Sequence, residues 1–543
     1  MPPNRTETYP NTSVGLWLKL CIHCDAFLAS PLGYSMAAWW RLRRKRIRSR
    51  SQFARLLGGS RRGYDMWLSL AEKSASSLEN GNTGPPILAL VEIGGGKGEL
   101  EKTLLNLSAE GVQALVIGSR NVPSLVEAAR QIDWEGEPWL LPMAAGDQLA
   151  RGAMQAYRAA TYRTAARVAY ADDDLLNGKG RRTTPHFKPD WNSELFKHFD
   201  YLTGACVLRS SRQELEALAK ATNWARQLVA RKVREGEPLH VRKILHHRRT
   251  RPSPQLPAAS CRPKGEYPLV SIIVPTRNRV DLLQTCLSGV AATDYPDVEV
   301  IIVDNDSDDP QTLAFLDGLE PTRHRVLRHG GAFNYSAINN RAVGEARGQL
   351  LCLLNNDIEV IEPNWLATMA AQAVRDDVGA VGARLLYPDG RIQHAGVVIG
   401  VGNAAGHAHR FLKPDEEGYF YRHALPQFTS AVTAACLVVS RDRFLAVGGL
   451  DECNFPVAFN DVDLCMRLNQ QGWQSLYEPR ATLVHHESVS RGFDRDPVGA
   501  ARFARELEAL QRLWNTKHNV DPFHHPELSR TTERFVTRLW DEL

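Results

Sequence analysis

Three short stretches of this chain gather side chains that can hold a cation and a phosphorylated ligand together: Pro275-Thr276-Arg277-Asn278, Asp304-Asn305-Asp306 and Asn355-Asn356-Asp357. The cluster has carboxylates and carboxamides, no thiol of its own and few imidazoles, a donor set that suits a hard divalent ion, Mg2+ or Mn2+. Such ions keep part of their water shell and bridge substrate phosphates. That makes Asp357 an anchor for a nucleotide diphosphate and leaves Asp304 and Asp306 to accept hydrogen bonds from a base or ribose. Thr276, Arg277 and Asn278 lie where a strand gives way to a helix, so their polar groups and free backbone N–H groups are placed either to meet a nucleotide or to cap that helix.

Alone, an Asn-Asn-Asp turn means little; its weight comes from the elements that must carry it. Each polar stretch ends an apolar run: Leu269 to Val274, Val298 to Val303 and Leu350 to Leu354. Short runs rich in branched residues and bounded by turn formers read as buried strands. Helical patterns lie between them, at Leu282, Leu283, Cys286, Leu287 and Val290, and again from Ala337 to Ala346. Strand and helix in alternation argue for an α/β fold with a parallel sheet, whose ligands bind at the carboxyl edge. All three clusters are expected on that one edge.

The chain has 543 residues and a net charge of +5, long enough for three or four domains at roughly 150 residues each. Its nine cysteines are scattered singly except for Cys21-Ile-His-Cys24, which is half a zinc site with no second pair to complete it, so a reducing compartment is the simpler reading. The start is polar and shows no secretion signal. Residues Ala26 to Trp40 are too short an apolar stretch for a span of about 20 residues. Directly after Trp39-Trp40 come Arg41, Arg43, Arg44, Lys45, Arg46, Arg48 and Arg50. An aromatic, apolar segment followed by a basic run can lie on an anionic membrane surface; the plain alternative is a solvated basic helix. No nucleic-acid module accompanies the run, and a nucleic-acid partner is not expected. A cytoplasmic protein, peripheral on the inner face of the plasma membrane through Trp39 to Arg50, is the corresponding expectation.

The chain then divides as a basic, helical segment (1–84), a first α/β region (85–250), a Pro/Ser-rich linker (251–266), the region with the acidic edge (267–496) and a helical tail (497–543). The first α/β region repeats the layout of the second: Ile87 to Ile93, a glycine cluster Gly94 to Gly98, a helix-like Leu100 to Leu107, then Val112 to Ile117. This suggests an internal repeat of domain size. The glycine cluster lacks the Gly-Lys-Ser/Thr ending of a phosphate loop and reads as a turn. Where the second copy has Asp304 and Asp306, the first has Gly118 and Ser119. Its one acidic triplet, Asp172-Asp-Asp174, reads as a cation site or, more often for such triplets, a solvated turn.

Val270 to Asn278, Val303 to Ser307 and Leu354 to Asp357 resemble the inverting family 2 glycosyltransferases. Phe333-Asn-Tyr-Ser-Ala-Ile-Asn-Asn340, Gln393-His-Ala-Gly-Val397, Ala458-Phe-Asn-Asp-Val-Asp-Leu464, His485-His-Glu-Ser488 and Ser490-Arg-Gly492 are similar to stretches of its O-antigen and rhamnan-type members. The resemblance implies a GT-A fold, Rossmann-like, for residues 267–496 and a degenerate, non-catalytic GT-A-like domain before it, in which only Asp147 remains of the acidic motif. It implies a nucleoside held by Asp304 and Asp306, a metal held by Asp357 and by His485 or His486, and a base at Asp461. Pro275, Thr276, Asn278, Asn355, Asn356, His394 and Arg491 complete the expected donor site. Asn355 departs from the family's first metal-motif acid, and Asp461 also sits where a helix begins, a common place for a cap. The function so implied is metal-dependent inverting transfer of a sugar, rhamnose among the candidates, from a nucleotide-diphosphate donor to a cell-surface polysaccharide or lipid-linked acceptor. A pseudoenzyme that binds nucleotide sugars or polysaccharide without turnover is the alternative. A membrane-embedded processive synthase is disfavoured, since Gln511-Arg-Leu-Trp514 lacks the spacing of that class's Gln-x-x-Arg-Trp motif.

Overall fold

Strands Val270–Thr276 and Leu350–Leu354 are buried at every position, and Val298–Asp304 at all but its first. Continuous apolar runs of this kind belong to parallel strands covered on both faces. In the computed structural model, which describes residues 15–74, 84–94, 96–258, 262–263, 265–486 and 497–539, they pair in parallel, with Val298–Asp304 and Leu350–Leu354 on either side of Val270–Thr276. Alternation of side chains along a strand then divides the core. Val270, Ile272 and Val274 pack with Leu283, Cys286, Trp365 and Met369 on one face; Ile273, Ile301 and Leu353 pack with Ile338, Phe455, Leu464 and Leu510 on the other.

The complete sheet has 10 strands. Its main path runs His324–Arg328, Val298–Asp304, Val270–Thr276, Leu350–Leu354, Cys436–Ser440, Val378–Leu386, Gln474–His485 and Ile358–Val360. The first half forms an 8-stranded sheet that follows Gln113–Ile117, Ile87–Glu92, Trp139–Ala144, Cys206–Arg209, Val168–Leu176, Leu239–Arg248 and Gln148–Leu149. Strand for strand, from Val298–Asp304 onward, the two paths agree in order and in direction: parallel, parallel, antiparallel, antiparallel, parallel, antiparallel. The repeat suggested by the sequence is thus present in the topology, although the side chains at its edge differ.

Asp172-Asp-Asp174 is not a solvated turn, and its cation-site reading keeps one candidate, since Asp172 with His240 and His525 brings together ligand atoms that could hold a metal ion. The triplet lies inside strand Val168–Leu176, and all three residues are fully buried. Each carboxylate has cationic or imidazole partners: Asp172 meets His240 at 3.1 Å and His525 at 3.0 Å, Asp173 meets Lys188 at 2.8 Å and Arg251 at 2.6 Å, and Asp174 meets Arg182 at 2.6 Å and His247 at 2.7 Å. The linker is equally pinned at its start, where Arg251 makes that contact and Gln255 N donates to His198 O at 2.7 Å.

Four helices, Leu16–Ala29, Pro31–Leu42, Arg46–Gly58 and Gly63–Ser74, form the N-terminal segment. Among the described residues no helix is long and apolar enough to cross a membrane. The tail is helical only as far as Trp514. Beyond it Pro522 and Pro526 lack the N–H a helix needs, and the chain instead ties the halves together: Pro522 O accepts from Asp190 N at 2.8 Å, and Asp521 Oδ2 accepts from Ile399 N at 2.7 Å. Asn192 bridges the two sheets directly, donating to Phe428 O at 2.8 Å and accepting from Phe428 N at 3.1 Å. The end of the stretch Ala404 to Tyr421 packs on the first half, where the Tyr419 hydroxyl accepts from Phe187 N at 2.9 Å.

Candidate functional site

Each polar cluster sits at the carboxyl end of its strand on the shared edge. Strand register puts Thr276 beside Asp304, and Asp304 beside Arg328. Asp304 is almost fully buried because Arg328 Nη1 covers it, donating to Oδ2 at 2.5 Å, while Ser307 N reaches Oδ1 at 3.3 Å. Asp306 adopts a left-handed conformation (φ 52°) and accepts from Gly331 N at 2.8 Å. Gly331 itself has φ 110°, a region where a side chain would be strained.

Asn278 is engaged in building the loop rather than facing open space. Its carboxamide donates to Asp308 Oδ1 at 2.8 Å and accepts from the N–H groups of Asp308 and Asp309, each at 3.0 Å. It does not cap the following helix, Val280–Ala291, whose N-cap is Arg279 in a left-handed conformation with no side-chain cap. Thr276 accepts from Asn356 Nδ2 at 3.0 Å, and Pro275 is buried within its strand. Asn355 N donates to Ala435 O at 3.0 Å.

Asp357 and His485 form a two-residue ligand pair at this edge. Ile358 pairs with His485 across antiparallel strands, which turns the His485 ring toward Asp357 and the next residue away. His485 Nε2 lies 3.2 Å from Asp357 Oδ1, and its Nδ1 lies 3.0 Å from Gln393 Oε1. A carboxamide oxygen only accepts, so Nδ1 carries a proton and Nε2 is the ring nitrogen that faces the carboxylate. No donor with hydrogen-bond geometry reaches Asp357 Oδ1. A ring nitrogen and a carboxylate oxygen facing each other in a buried place need a proton or a cation between them, and a histidine oriented through its other nitrogen is a usual metal ligand. Burial raises the Asp357 carboxyl, but the facing His485, and more weakly His486, outweigh it and hold it below the usual carboxylate range. His486 binds backbone instead, donating N–H to Asp357 O at 3.0 Å, and its ring meets Glu359 at 2.9 Å.

The structure does not bring His394 to the open edge. It is fully buried, with Nδ1 2.8 Å from His407 Nδ1 and Nε2 accepting from Gly396 N at 3.3 Å. Burial, then the neighbouring His407 and His485, push its pKa well below the ordinary value. Arg491 lies outside the described residues.

Asp461 is not a helix cap. Helix Asn460–Gln470 is preceded by Phe459 in a left-handed conformation, and the Asp461 side chain crosses to the turn that leads into strand Cys436–Ser440. Its Oδ2 accepts from Ala434 N at 3.0 Å and its Oδ1 from Val462 N at 2.8 Å. Ala434 and Ala435 therefore link Asp461 to Asn355 and so to the acidic edge. Asp461 remains half-buried; burial raises its pKa, against the hydrogen bonds from Ala434, Val462 and Thr433. Asp463 has a structural place, bound by Arg467 Nε at 2.8 Å and Trp514 Nε1 at 3.0 Å.

Three contributors carry no signal of their own in the sequence. Arg328 is found only from the register that sets it beside Asp304. Gln393 and Tyr335 stand within the motifs Gln393 to Val397 and Phe333 to Asn340, but nothing marks their roles. The Tyr335 hydroxyl donates to Ala434 O at 3.0 Å; burial, then Asp461, and more weakly Asp357, raise its pKa, so this phenol stands within the field of both carboxylates.

The matching edge of the first half is different. Ala145-Gly146-Asp147 replaces Asn355-Asn356-Asp357, and Asp147 accepts from Arg249 N at 2.7 Å while burial pushes its pKa up to about 6. Its helix Trp224–Lys232 has no acid in the first turn.

Residues 271–417 match the family model Glycosyl transferase family 2. The chain is 35% identical over 408 residues to the O-antigen biosynthesis protein RfbC of Myxococcus xanthus, covering 67% of this chain and 32% of that protein. It is 29% identical over 225 residues to the N-acetylglucosaminyl-diphospho-decaprenol L-rhamnosyltransferase of Mycobacterium tuberculosis (strain CDC 1551 / Oshkosh), covering 38% of this chain and 71% of that protein. Among solved structures, the mannosyltransferase PcManGT from Pyrobaculum calidifontis, in complex with GDP-Man and Mn2+, aligns with a TM-score of 0.36 and 18% identity over 50% of this chain and 70% of that one. The chain spans less than half the length of the curated relatives that it matches over about two thirds of its own. The matched residues 271–417 include Asp304, Asp306 and Asp357, so the acidic edge lies in the region similar to Glycosyl transferase family 2.

Proposed function

We propose that this protein is a metal-dependent inverting glycosyltransferase that moves a sugar from a nucleotide-diphosphate donor to a cell-surface polysaccharide or lipid-linked glycan. The observation that carries this reading is the imidazole Nε2 of His485 lying 3.2 Å from the Asp357 carboxylate, on the same sheet edge as Asp304 and Asp306. Oxygen and imidazole nitrogen fit Mg2+ or Mn2+, and an ion bound there would neutralise the charge that develops on the departing diphosphate. Asp357 and His485 hold that ion. Asp304 and Asp306 bind the nucleoside, with Arg328 moving off Asp304 as the donor enters, and Thr276, Asn355 and Asn356 shape the turn beneath the phosphates. Arg491 is a candidate for a further contact to them.

Asp461 takes the proton of the acceptor hydroxyl as its oxygen attacks the anomeric carbon from the side opposite the diphosphate. The carbon–oxygen bond to the diphosphate breaks as the new glycosidic bond forms, and the anomeric configuration inverts. A carboxyl raised by burial is better matched to this task than an exposed one. The first half supports no equivalent chemistry: it lacks a carboxylate at the Asp461 position, and it serves as scaffold or acceptor platform for the second.

The test is transfer by the full chain from a panel of nucleotide sugars, dTDP-rhamnose included because one relative is named for rhamnosyl transfer. Glycan and lipid-linked acceptors are supplied with Mg2+, Mn2+ or chelator. One donor is expected to turn over, and chelation is expected to abolish it. Donor binding without turnover across all acceptors would contradict the proposal.

A further inference from the structure

The first two helices are apolar on both sides. Helix Leu16–Ala29 packs Leu18, Ile22 and Ala26 inward, yet Trp17, Leu20, Phe27 and Leu28 face solvent, with Trp17 78% and Leu28 76% exposed. Helix Pro31–Leu42 turns Ala37 inward and leaves Leu32, Met36, Trp39 and Leu42 outside, Leu32 at 87%. In the second helix the outward residues recur every three or four positions and form a continuous apolar stripe, while in the first they gather toward its two ends. A helix apolar all round has a second apolar environment to meet.

The basic run follows immediately. Arg41, Arg44, Arg46 and Arg50 line a cavity of about 660 Å3 with His23 and Phe53 on its wall, and none of these four arginines meets a carboxylate among the described residues. Cations gathered around one cavity repel each other, and an anion there relieves that repulsion. Guanidinium groups suit phosphate in particular, because their donors match its oxygens. Nucleic acid would satisfy the arginines but offers no apolar bed for Trp17, Leu28 and Leu32. A phospholipid leaflet offers both layers at once, acyl chains below and phosphates at the level of the arginines.

We propose that the helical hairpin Leu16–Leu42 and the adjoining arginine-lined cavity form a docking surface for an anionic phospholipid leaflet, with the outward apolar residues among the upper acyl chains and a lipid phosphate in the cavity. The proposal does not depend on the sugar-transfer reading, since none of these residues lies at the acidic edge.

The test is partition of the full chain onto sedimenting vesicles of phosphatidylcholine alone and of phosphatidylcholine mixed with phosphatidylglycerol. Binding is expected on the mixed vesicles and to weaken with salt. Arg44→Gln is expected to lower it about fivefold, and adding Arg46→Gln to lower it about as much again. Leu28→Ser with Leu32→Ser is expected to abolish it. Brominated lipids provide a second readout that does not rest on destabilising changes: they are expected to quench tryptophan fluorescence in the wild type, and much less in Trp17→Phe/Trp39→Phe. Three results would overturn the proposal: no partition onto anionic vesicles, binding of glycerol phosphate without partition, or a concentration-dependent dimer dissolved by Leu28→Ser/Leu32→Ser with vesicle binding absent.

Discussion

Asp461→Asn is expected to slow sugar transfer by roughly 10²- to 10⁴-fold, the usual contribution of a positioned base. The carboxamide keeps the shape of the side chain and its oxygen still accepts from Ala434 N, so only the bond from Val462 N is lost. Donor and metal affinity are therefore expected to hold while kcat falls. The pH dependence gives an independent check. In its proposed role Asp461 works deprotonated, and burial raises its pKa, so activity is expected to be lost as pH falls through that raised value. The acid limb thus lies above the ordinary aspartate value of about 3.9. Rates for Asp461→Asn are expected to be low and without that limb. Transfer by the variant within about tenfold of the wild type would remove Asp461 from the reaction.

The second large effect is on stability and concerns the first half. Lys188→Met is expected to destabilise the fold by about 3 kcal/mol, because it removes one partner of a buried ion pair and leaves the other. Lys188 is fully buried, 2.8 Å from Asp173, and also donates to Ala171 O at 2.6 Å. Burial pulls the Lys188 pKa down, and Asp173 opposes that pull. Asp173 is held well below the usual carboxylate range: burial raises it, but Lys188, Arg251 and Arg248 together outweigh burial. Because the folded pKa of Asp173 is depressed, its stabilisation is present above the unfolded value of about 3.9 and disappears as pH falls toward the folded one. In Lys188→Met that acid dependence is expected to be shallower. Thermal unfolding at neutral pH checks the magnitude, with a fall of roughly 6 to 12 °C in the transition of this domain. A fall below about 2 °C would mean that Arg248 and Arg251 alone neutralise Asp173.

The acidic edge was legible in the sequence because its strands are parallel and buried. Their apolar runs are unbroken, and the turn residues that stop them fall at one end of the sheet by the logic of strand and helix alternation. The repeat was legible for the same reason, since Ile87 to Glu92 and Val270 to Thr276 carry the same kind of run. What stayed hidden depends on partners distant in the chain. Asp172 to Asp174 looked like a solvated turn because nothing local announces Lys188, Arg251 or His525. The distinct roles of His485 and His486 follow from a pairing between Ile358 and His485, which local motif spacing does not contain. His394 has the same motif context whether it is exposed or buried, and only its strand, Ile392–His394, decides that it is inside. Asn278 was expected at a ligand or a helix cap, yet its carboxamide closes the loop that carries Asp308 and Asp309.

The most direct measurement of the central claim is pulsed electron paramagnetic resonance of Mn2+ bound to the full chain with a nucleoside diphosphate. The account predicts coupling to one imidazole nitrogen, lost in His485→Ala, kept in His486→Ala, and accompanied by weak Mn2+ binding in Asp357→Ala. Nitrogen coupling that survives His485→Ala, or Mn2+ held equally well without the Asp357 carboxylate, would contradict it.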